Sequence, residues 1–419
     1  MTEKKMELLS HYRVLDLTDE KGYLCGKILG DLGADVIKIE IPGGDPSRNI
    51  GPFYHDIPDS EKSLSWFAFN SNKRGITLDI EKSDGRTIFL RLVEKADLVI
   101  ESFPPGYMDN IGLGYSTLSE IKPDIIMTSI TPFGQAGPYA DFKASDIVLM
   151  AMSGVMYLWG DPDRAPVRLS VDQAYYHASA DAATGSLIAL YHREVSGEGQ
   201  HIDVSTQESV KVATIESAPL YDMIGLIRKR TGSVSVSISK EDIITRHTWP
   251  CKDGYITFEV LGGKIGASFN RAIVNWASDE GMVDEKLVKM DWEEFDYLAA
   301  TQEEHNHISE FIGTFFLTHT KEELFRGAVE RRIILFPVTD TRDIAEDEQL
   351  KARNYWESVD HPELNTSIPY FGRFVKIPGS SRAIRLRSPL VGEHNREIYG
   401  KELLLSDEEL IALKQARVI

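Results

Sequence analysis

Arg13-Val14-Leu15-Asp16-Leu17 and Asp35-Val36-Ile37-Lys38-Ile39-Glu40 are two apolar, β-branched runs, and the stretch between them decides the fold. Residues 22–33 carry helical spacing that ends near Gly33. Strand, helix, strand at this length predicts a parallel pair with a crossover helix. The pattern repeats outward. Gly75-Ile76-Thr77-Leu78-Asp79 reads as a strand, Ile88 to Ala96 as a helix, and Leu98-Val99-Ile100-Glu101 and Ile125 to Ile130 as strands. The expectation is an α/β fold with a mostly parallel sheet covered by helices on both faces.

Such sheets bind ligands beyond the carboxyl ends of their strands. The segments there are polar or rich in Gly and Pro: Pro42 to Pro46, Ser102 to Gly106, and Thr131 to Pro138. The first turn, Thr18-Asp19-Glu20-Lys21-Gly22, is not a Gly-x-Gly-x-x-Gly dinucleotide fingerprint, and no P-loop occurs. No nucleophile elbow of a Ser-His-Asp hydrolase is present.

Residues 226–245 are polar, with Ser and Val alternating from Ser233 to Ser239, as in a linker or hairpin. Trp249 to Ile256 reads as a turn with its following strand, and 267–330 is helix-rich and acidic. The predicted organisation is a large domain over 1–225, a smaller inserted domain over 226–335, and a tail over 336–419 that returns to the large domain.

Of 419 residues, 42% are apolar and 26% charged, enough for a sizeable core. The net charge of −19 disfavours nucleic acid and anionic membrane as partners. Two cysteines, Cys25 and Cys251, argue against a disulfide framework and fit a reducing compartment. Met1 to Ser10 lacks the apolar stretch of a signal peptide, so the chain reads as cytoplasmic. His305 and His307 are close but lack a metal-binding framework.

Four features are candidates for chemistry. Asn70-Ser71-Asn72-Lys73-Arg74 precedes a strand and could hold phosphates, or be a solvated basic turn. Lys38 could meet a phosphate at its strand end, or form a strand-end ion pair of little weight with a neighbour such as Glu40. Gly134-Gln135-Ala136-Gly137-Pro138 allows close backbone approach to a ligand, or is a plain turn. Asp172, at a helix entrance, is either an N-cap or a nucleophile for a thioester carbonyl.

In order along the chain, several blocks resemble the class III CoA-transferases, the family of formyl-CoA transferase and carnitine CoA-transferase. They are Val14 to Leu17, Asp31 to Glu40, Asn72-Lys73-Arg74 with Leu78-Asp79, Ala96-Asp97 with Glu101-Ser102-Phe103, and the Gly134 loop. Arg193-Glu194 with Gly197 to Ser205, Asp253-Gly254-Tyr255, Phe336-Pro337-Val338 and Pro389 to His394 follow. The resemblance implies a Rossmann-like large domain built from both termini, a smaller inserted α/β domain, and two chains interlocked as rings. It implies that coenzyme A thioesters are substrates, with no metal or redox cofactor. It places Lys38, Asn72, Lys73, Arg74, Ser102, Phe103 and Lys143 at the CoA. In this family an Asp attacks the acyl-CoA to give a mixed anhydride. The released thiolate then forms an aspartyl-CoA thioester, from which an acid takes the CoA.

This chain departs from that pattern at the reacting group. The family's Asp stands about 18 residues before the Arg of the Arg-Glu exit, which here falls on Tyr175, whereas Asp172 lies 21 residues before Arg193. A one-turn shift moves a side chain by about 5 Å. The Asn before Phe103 is Ser102, the CoA-contacting Arg is Asn110, and Asp19 to Tyr23 replaces a Gln-Ala-Gly-Pro run. These changes resemble the degenerate chain of hetero-oligomeric members. The implied function is a non-catalytic subunit paired with an active paralogous chain. The implied donor is succinyl-CoA, and the implied acceptor is a carboxylic acid such as benzylsuccinate, in anaerobic toluene breakdown. The rivals are a self-sufficient homodimer using Asp172, a racemase of the same family, and a non-enzymatic scaffold. The racemase would need a His where Ala144-Ser145-Asp146 stands.

Overall fold

The computed structural model describes residues 8–236, 243–379 and 384–419. It divides into two compact units, the first comprising Met1–Val155, Arg168–Met223 and Glu348–Ile419, the second Met156–Val167 and Ile224–Asp347.

The first unit opens with β1 (Arg13–Leu17), α1 (Tyr23–Asp31), β2 (Asp35–Glu40), α2 (Leu64–Asn70), β3 (Lys73–Thr77), α3 (Ser83–Val93) and β4 (Leu98–Glu101). It continues with α4 (Tyr107–Asn110), α5 (Tyr115–Ile121), β5 (Ile126–Thr131), α6 (Asp146–Met152), α7 (Ala174–Ser196) and β6 (His201–Ser205). The strands form one parallel sheet in the order β3-β2-β1-β4-β5-β6. That order puts the topological switch point between β1 and β4, where the chain leaves toward opposite faces of the sheet.

Alternation along the strands sorts the core into two layers. Leu15, Leu17, Ile37 and Ile39 pack with Phe89, Leu92 and Leu118 on one face. Val14, Val36 and Ile100 pack with Leu29 of α1 and with Ala178, Ala182 and Ala189 of α7 on the other. The small residues on α7 let this 23-residue helix lie close against the sheet. Two short helices follow, α8 (Thr206–Lys211) and α9 (Ser217–Ile224).

The second unit holds a hairpin of β7 (Val234–Val236) and β8 (Ile244–Arg246), and an antiparallel sheet of β9 (Thr248–Cys251), β10 (Gly254–Phe258) and β11 (Leu335–Pro337). The later part of the Ser233–Ser239 alternation lies outside the described residues. Helices α10 (Gly263–Asp279), α11 (Glu285–Val288), α12 (Gln302–Leu317), α13 (Lys321–Arg331) and α14 (Thr341–Glu346) complete it. Capping boxes at Thr301 with Glu304 and Thr320 with Glu323 start α12 and α13. His305 is buried here with Nε2 3.1 Å from the Tyr297 carbonyl, while His307 meets Asp284 at 3.0 Å, so the two histidines face different partners.

The chain then rejoins the first unit through α15 (Glu348–Ala352), the hairpin β12 (Trp356–His361) and β13 (Thr366–Phe371), a π-helical turn at Arg396–Glu402, and α16 (Asp407–Gln415). Tyr399 donates its hydroxyl to the Thr77 carbonyl at 2.6 Å, and Asp79 donates its amide to the Val418 carbonyl at 2.8 Å. The tail thus seals the β3 edge. Among the described residues no helix is long and apolar enough to cross a membrane.

Candidate active site

The residues brought to the switch point are mainly acidic and hydroxylic. Asp19, in the turn after β1, donates its amide to Ser102 Oγ at 2.9 Å and accepts from that hydroxyl at 2.8 Å. One side chain at the end of β4 thus ties the two turns together. Lys21 pairs with Asp19, and Ser179 of α7 donates to the Lys21 carbonyl at 3.3 Å. The amino half of α7 therefore lies beside the β1 turn.

Beneath this turn is a buried charge cluster. Lys73 Nζ donates to Asp16 at 2.8 Å, to the Tyr23 carbonyl at 2.9 Å and to Asn70 at 2.9 Å, with both charged side chains fully buried. Lys38 donates to the Thr18 carbonyl and lies 4.0 Å from Asp16 and 3.7 Å from Asp45. Burial alone would raise the Asp16 carboxyl, but Lys73 and Lys38 reverse that and hold it below its usual value. Gly26 of α1 permits this packing, since a Cβ there would stand 2.2 Å from the Asp16 carboxylate.

The residues expected at the CoA are therefore distributed unevenly. Lys38, Asn72 and Lys73 are buried. Asn72 donates to Asp31 at 2.6 Å and accepts from the amide of Arg385 at 2.7 Å. Arg74 pairs with Asp35, Glu397 and Glu402. The solvated-turn reading of Asn70 to Arg74 is corrected: the tail covers this segment and its polar groups serve the fold. The weak strand-end ion pair expected at Lys38 is corrected too, because that side chain has no exposure at all. Glu40, its strand neighbour, pairs instead with Arg48 at 2.6 Å. Lys143 is exposed, on the loop before α6.

Phe103 lines an open cleft of about 450 Å³ at the carboxyl ends of β1, β2 and β3, which the other members of that set do not line. Its ring stacks on Tyr107 with centroids 4.4 Å apart, and the Tyr107 hydroxyl donates to Glu81 at 2.8 Å. The cations at this cleft are Lys82 and Arg417. Lys82 donates to the carbonyls of Ala416 and Arg417 at 2.8 Å each. Sequence reading missed Tyr107, Lys82 and Arg417. Arg417 lies over 330 residues from Lys82 in the chain, and nothing local to either marks the meeting.

The loop after β5 has Gly134 at φ +86° and Gly137 at φ +105°, conformations that other residues adopt at a penalty. It is anchored by the Gln135 amide, which donates to both oxygens of Asp203 at 2.9 and 3.0 Å.

At the start of α7 the helix-cap reading of Asp172 is overturned. The N-cap position is Gln173, whose side chain makes no capping bond. Asp146, buried at the start of α6, accepts the amides of Gln173 and Ala174 at 2.7 Å each. Asp172 is half exposed, with Arg168 3.6 Å from its carboxylate. Partial burial, then repulsion from Asp146, raises its pKa against the pull of Arg168. Tyr175, one turn on, is buried, and its phenol is pushed well up by burial and by the nearby Glu20, Asp172 and Asp146. The far end of α7 is fixed by Arg193, which meets Asp97 at 3.0 Å.

The profile of CoA-transferase family III matches residues 9–395. Succinyl-CoA:(R)-benzylsuccinate CoA-transferase subunit BbsE of Thauera aromatica is 35% identical over 391 residues, covering 93% of each chain. Succinyl-CoA–D-citramalate CoA-transferase of Chloroflexus aurantiacus is 30% identical over 413 residues, covering 98% of each. A CAIB/BAIF family protein from Brucella suis has a crystal structure that superposes with a TM-score of 0.79 at 28% identity, covering 93% of this chain and 98% of that one.

Proposed function

Because the chain belongs to CoA-transferase family III, we propose that it is a subunit that moves CoA from an acyl-CoA donor such as succinyl-CoA to a carboxylic acid, beside an active paralogous chain. The observation that carries the subunit role is Tyr175. It occupies the place, counted from the anchored Arg193, where the family's attacking carboxylate would stand, and it is a buried phenol. Asp172 lies three residues earlier and outside the helix, and covalent attack does not tolerate a displacement of this size. The enclosed Lys38 and Lys73 leave few free cations for a polyphosphate. Of the proposed CoA set, Lys143 is exposed and Phe103 is partly buried at the rim of the cleft.

The partner would supply the Asp. Its carboxylate attacks the thioester carbonyl and the C–S bond breaks. The thiolate then attacks the aspartyl carbonyl of the anhydride and displaces the donor acid, leaving an aspartyl-CoA thioester. The incoming carboxylate displaces the thiolate to give a second anhydride, and the thiolate attacks its acceptor acyl carbon, releasing the aspartate and the new acyl-CoA. Backbone amides such as those of the Gly134 loop would stabilise the oxyanions. The benzylsuccinate-type acceptor, with its place in anaerobic toluene breakdown, rests on likeness to the Thauera subunit. Interlocking with the partner rests on the family resemblance. It is consistent with exposed apolar side chains along α7 and the following helices, among them Ile188, Tyr191, Val195 and Tyr221.

A second reading, a homodimer using Asp172, is favoured by one fact: with Asp146 capping α7, the Asp172 carboxylate is not held by helix amides. Incubating the chain alone with succinyl-CoA, then with its paralog, and mapping aspartyl adducts by mass spectrometry separates the two. The subunit reading expects no adduct at Asp172 and one on the paralog. An Asp172 adduct on the lone chain overturns it.

A further inference from the structure

The turn after β1 lies at the switch point, where an open α/β sheet takes its ligand. Asp19 and Glu20 fasten this turn on both flanks in the same way. On the β4 side, Ser102 Oγ accepts the Asp19 amide at 2.9 Å and donates to the Asp19 carboxylate at 2.8 Å. On the β2 side, Ser47 Oγ accepts the Glu20 amide at 3.4 Å and donates to the Glu20 carboxylate. The Lys21 amide donates to Asp19 Oδ1 at 3.1 Å, and the Lys21 ammonium pairs with the same carboxylate. The next two amides, of Gly22 and Tyr23, donate to the Asp19 carbonyl at 2.9 and 3.2 Å. Both hydroxyls are buried, whereas the Asp19 and Glu20 side chains are 33% and 38% exposed.

We propose that Asp19 and Glu20 are exclusion residues, whose carboxylates take up the donors of the switch point and keep oxyanions out of this chain's own crevice. The excluded chemistry is that of the transferase substrates, a phosphate of CoA or the carboxylate of an acid. The inference rests on the subunit reading above and gives it a cause: substrate is turned away from one chain and left to the other.

Successive backbone amides in a turn make a concave site for anions when they are left open. Here every amide from Asp19 to Tyr23 is taken within the turn or by its two serines. A hydroxyl has a single hydrogen to donate, and Ser47 and Ser102 give theirs to the turn's own carboxylates. Lys21, the cation of the turn, is neutralised by Asp19. Ser179 of α7 donates to the Lys21 carbonyl at 3.3 Å and holds the turn from the helix side. An arriving oxyanion therefore finds no unused donor in this group and meets two carboxylates of its own sign. Charge repulsion of this kind discriminates between ligands as well as new contacts do.

The test uses the full-length chain without a partner and two ligands that cannot acylate it, CoA with its free thiol and succinate. Calorimetric titrations compare the wild type with D19A/E20A, which frees both hydroxyls, the turn amides and Lys21. At least one ligand is expected to bind about tenfold more tightly to this variant, the gain of one charge-assisted hydrogen bond. A gain for CoA alone identifies phosphate as the excluded group, a gain for succinate alone the carboxylate, and a gain for both an oxyanion from either source. D19N/E20Q keeps the acceptors and removes only the charge, so it is expected to show a smaller gain that added salt abolishes. E293Q/E294Q, which removes two exposed charges elsewhere, should leave both affinities within about twofold. No gain for either ligand in a folded D19A/E20A, or an equal gain in E293Q/E294Q, overturns the proposal. D19N/E20Q decides alone where the alanine pair fails to fold. Such a failure would leave the subunit role standing, because adduct mapping with succinyl-CoA decides that separately.

Discussion

The Asp146 carboxylate accepts the backbone N–H of Ala174 at 2.7 Å across 28 residues of chain. The helix that leads to Arg193 is thus capped from another helix and not by Asp172, the aspartate beside its entrance.

Replacing Asp146 with Ala removes two charge-assisted bonds to helix amides, one buried and one part-buried. D146A is expected to lower stability by about 2 kcal/mol, the upper end of capping losses. D172A, at a half-exposed side chain, is expected to change it by less than about 0.5 kcal/mol. Urea denaturation of both checks this. Equal losses would mean that Asp172 shares the capping.

Asp16 neutralises two buried ammonium groups. D16N leaves them facing a neutral amide and is expected to destabilise by about 3–5 kcal/mol. G26A should also destabilise, although Ala is the better helix former by about 1 kcal/mol, because its Cβ would stand 2.2 Å from the Asp16 carboxylate. Thermal melts distinguish the outcomes: a higher melting temperature for G26A would show that α1 can move away.

Phe103 offers the cleft an aromatic face backed by Tyr107. F103A is expected to weaken CoA binding about tenfold, the loss of one stacking contact of about 1.4 kcal/mol. Tyr107→Phe, which removes only the hydroxyl bonded to Glu81, should leave affinity within about twofold. Calorimetric titration of CoA into the chain, alone and mixed with a paralogous chain, reads both. An unchanged F103A would remove this cleft from the CoA path.

Stability should fall with rising pH on account of Glu101. Its folded pKa is raised from 4.5 to about 7, chiefly by burial, so between those values the folded chain holds a proton that the unfolded chain has lost. The contribution is fully present below about pH 4.5 and is gone above about pH 7, a change on the order of 3 kcal/mol. Denaturation midpoints of E101Q across pH 4.5–8 should lack this slope. If the mutant keeps the wild-type slope, Glu101 titrates normally.

Local pattern in the sequence determined the α/β class. The runs at 13–17, 35–40 and 98–101 are strands at those same residues, because a strand buried on both faces must be apolar along its whole length. The helix placed at Ile88–Ala96 instead runs Ser83–Val93. Its first turn is polar and carries little periodic signal, so its start was not readable. The two glycines of the Gly134 loop take positive φ, a conformation that depends on a single residue's lack of Cβ.

Which polar residues face a ligand and which face one another was settled only by tertiary contacts. Lys38, Asn72, Lys73 and Arg74 look alike in sequence to exposed phosphate ligands. Strand order puts Asp16 beside Lys73, and the returning tail brings Glu397 and Glu402 to Arg74. Asp146 and Ala174, Glu101 and Ser129, and Lys82 and the carbonyl of Arg417 meet by the same long-range means. A charge placed in low dielectric is held by whatever partner the fold delivers, and that partner's distance in the chain leaves no periodic trace in the sequence.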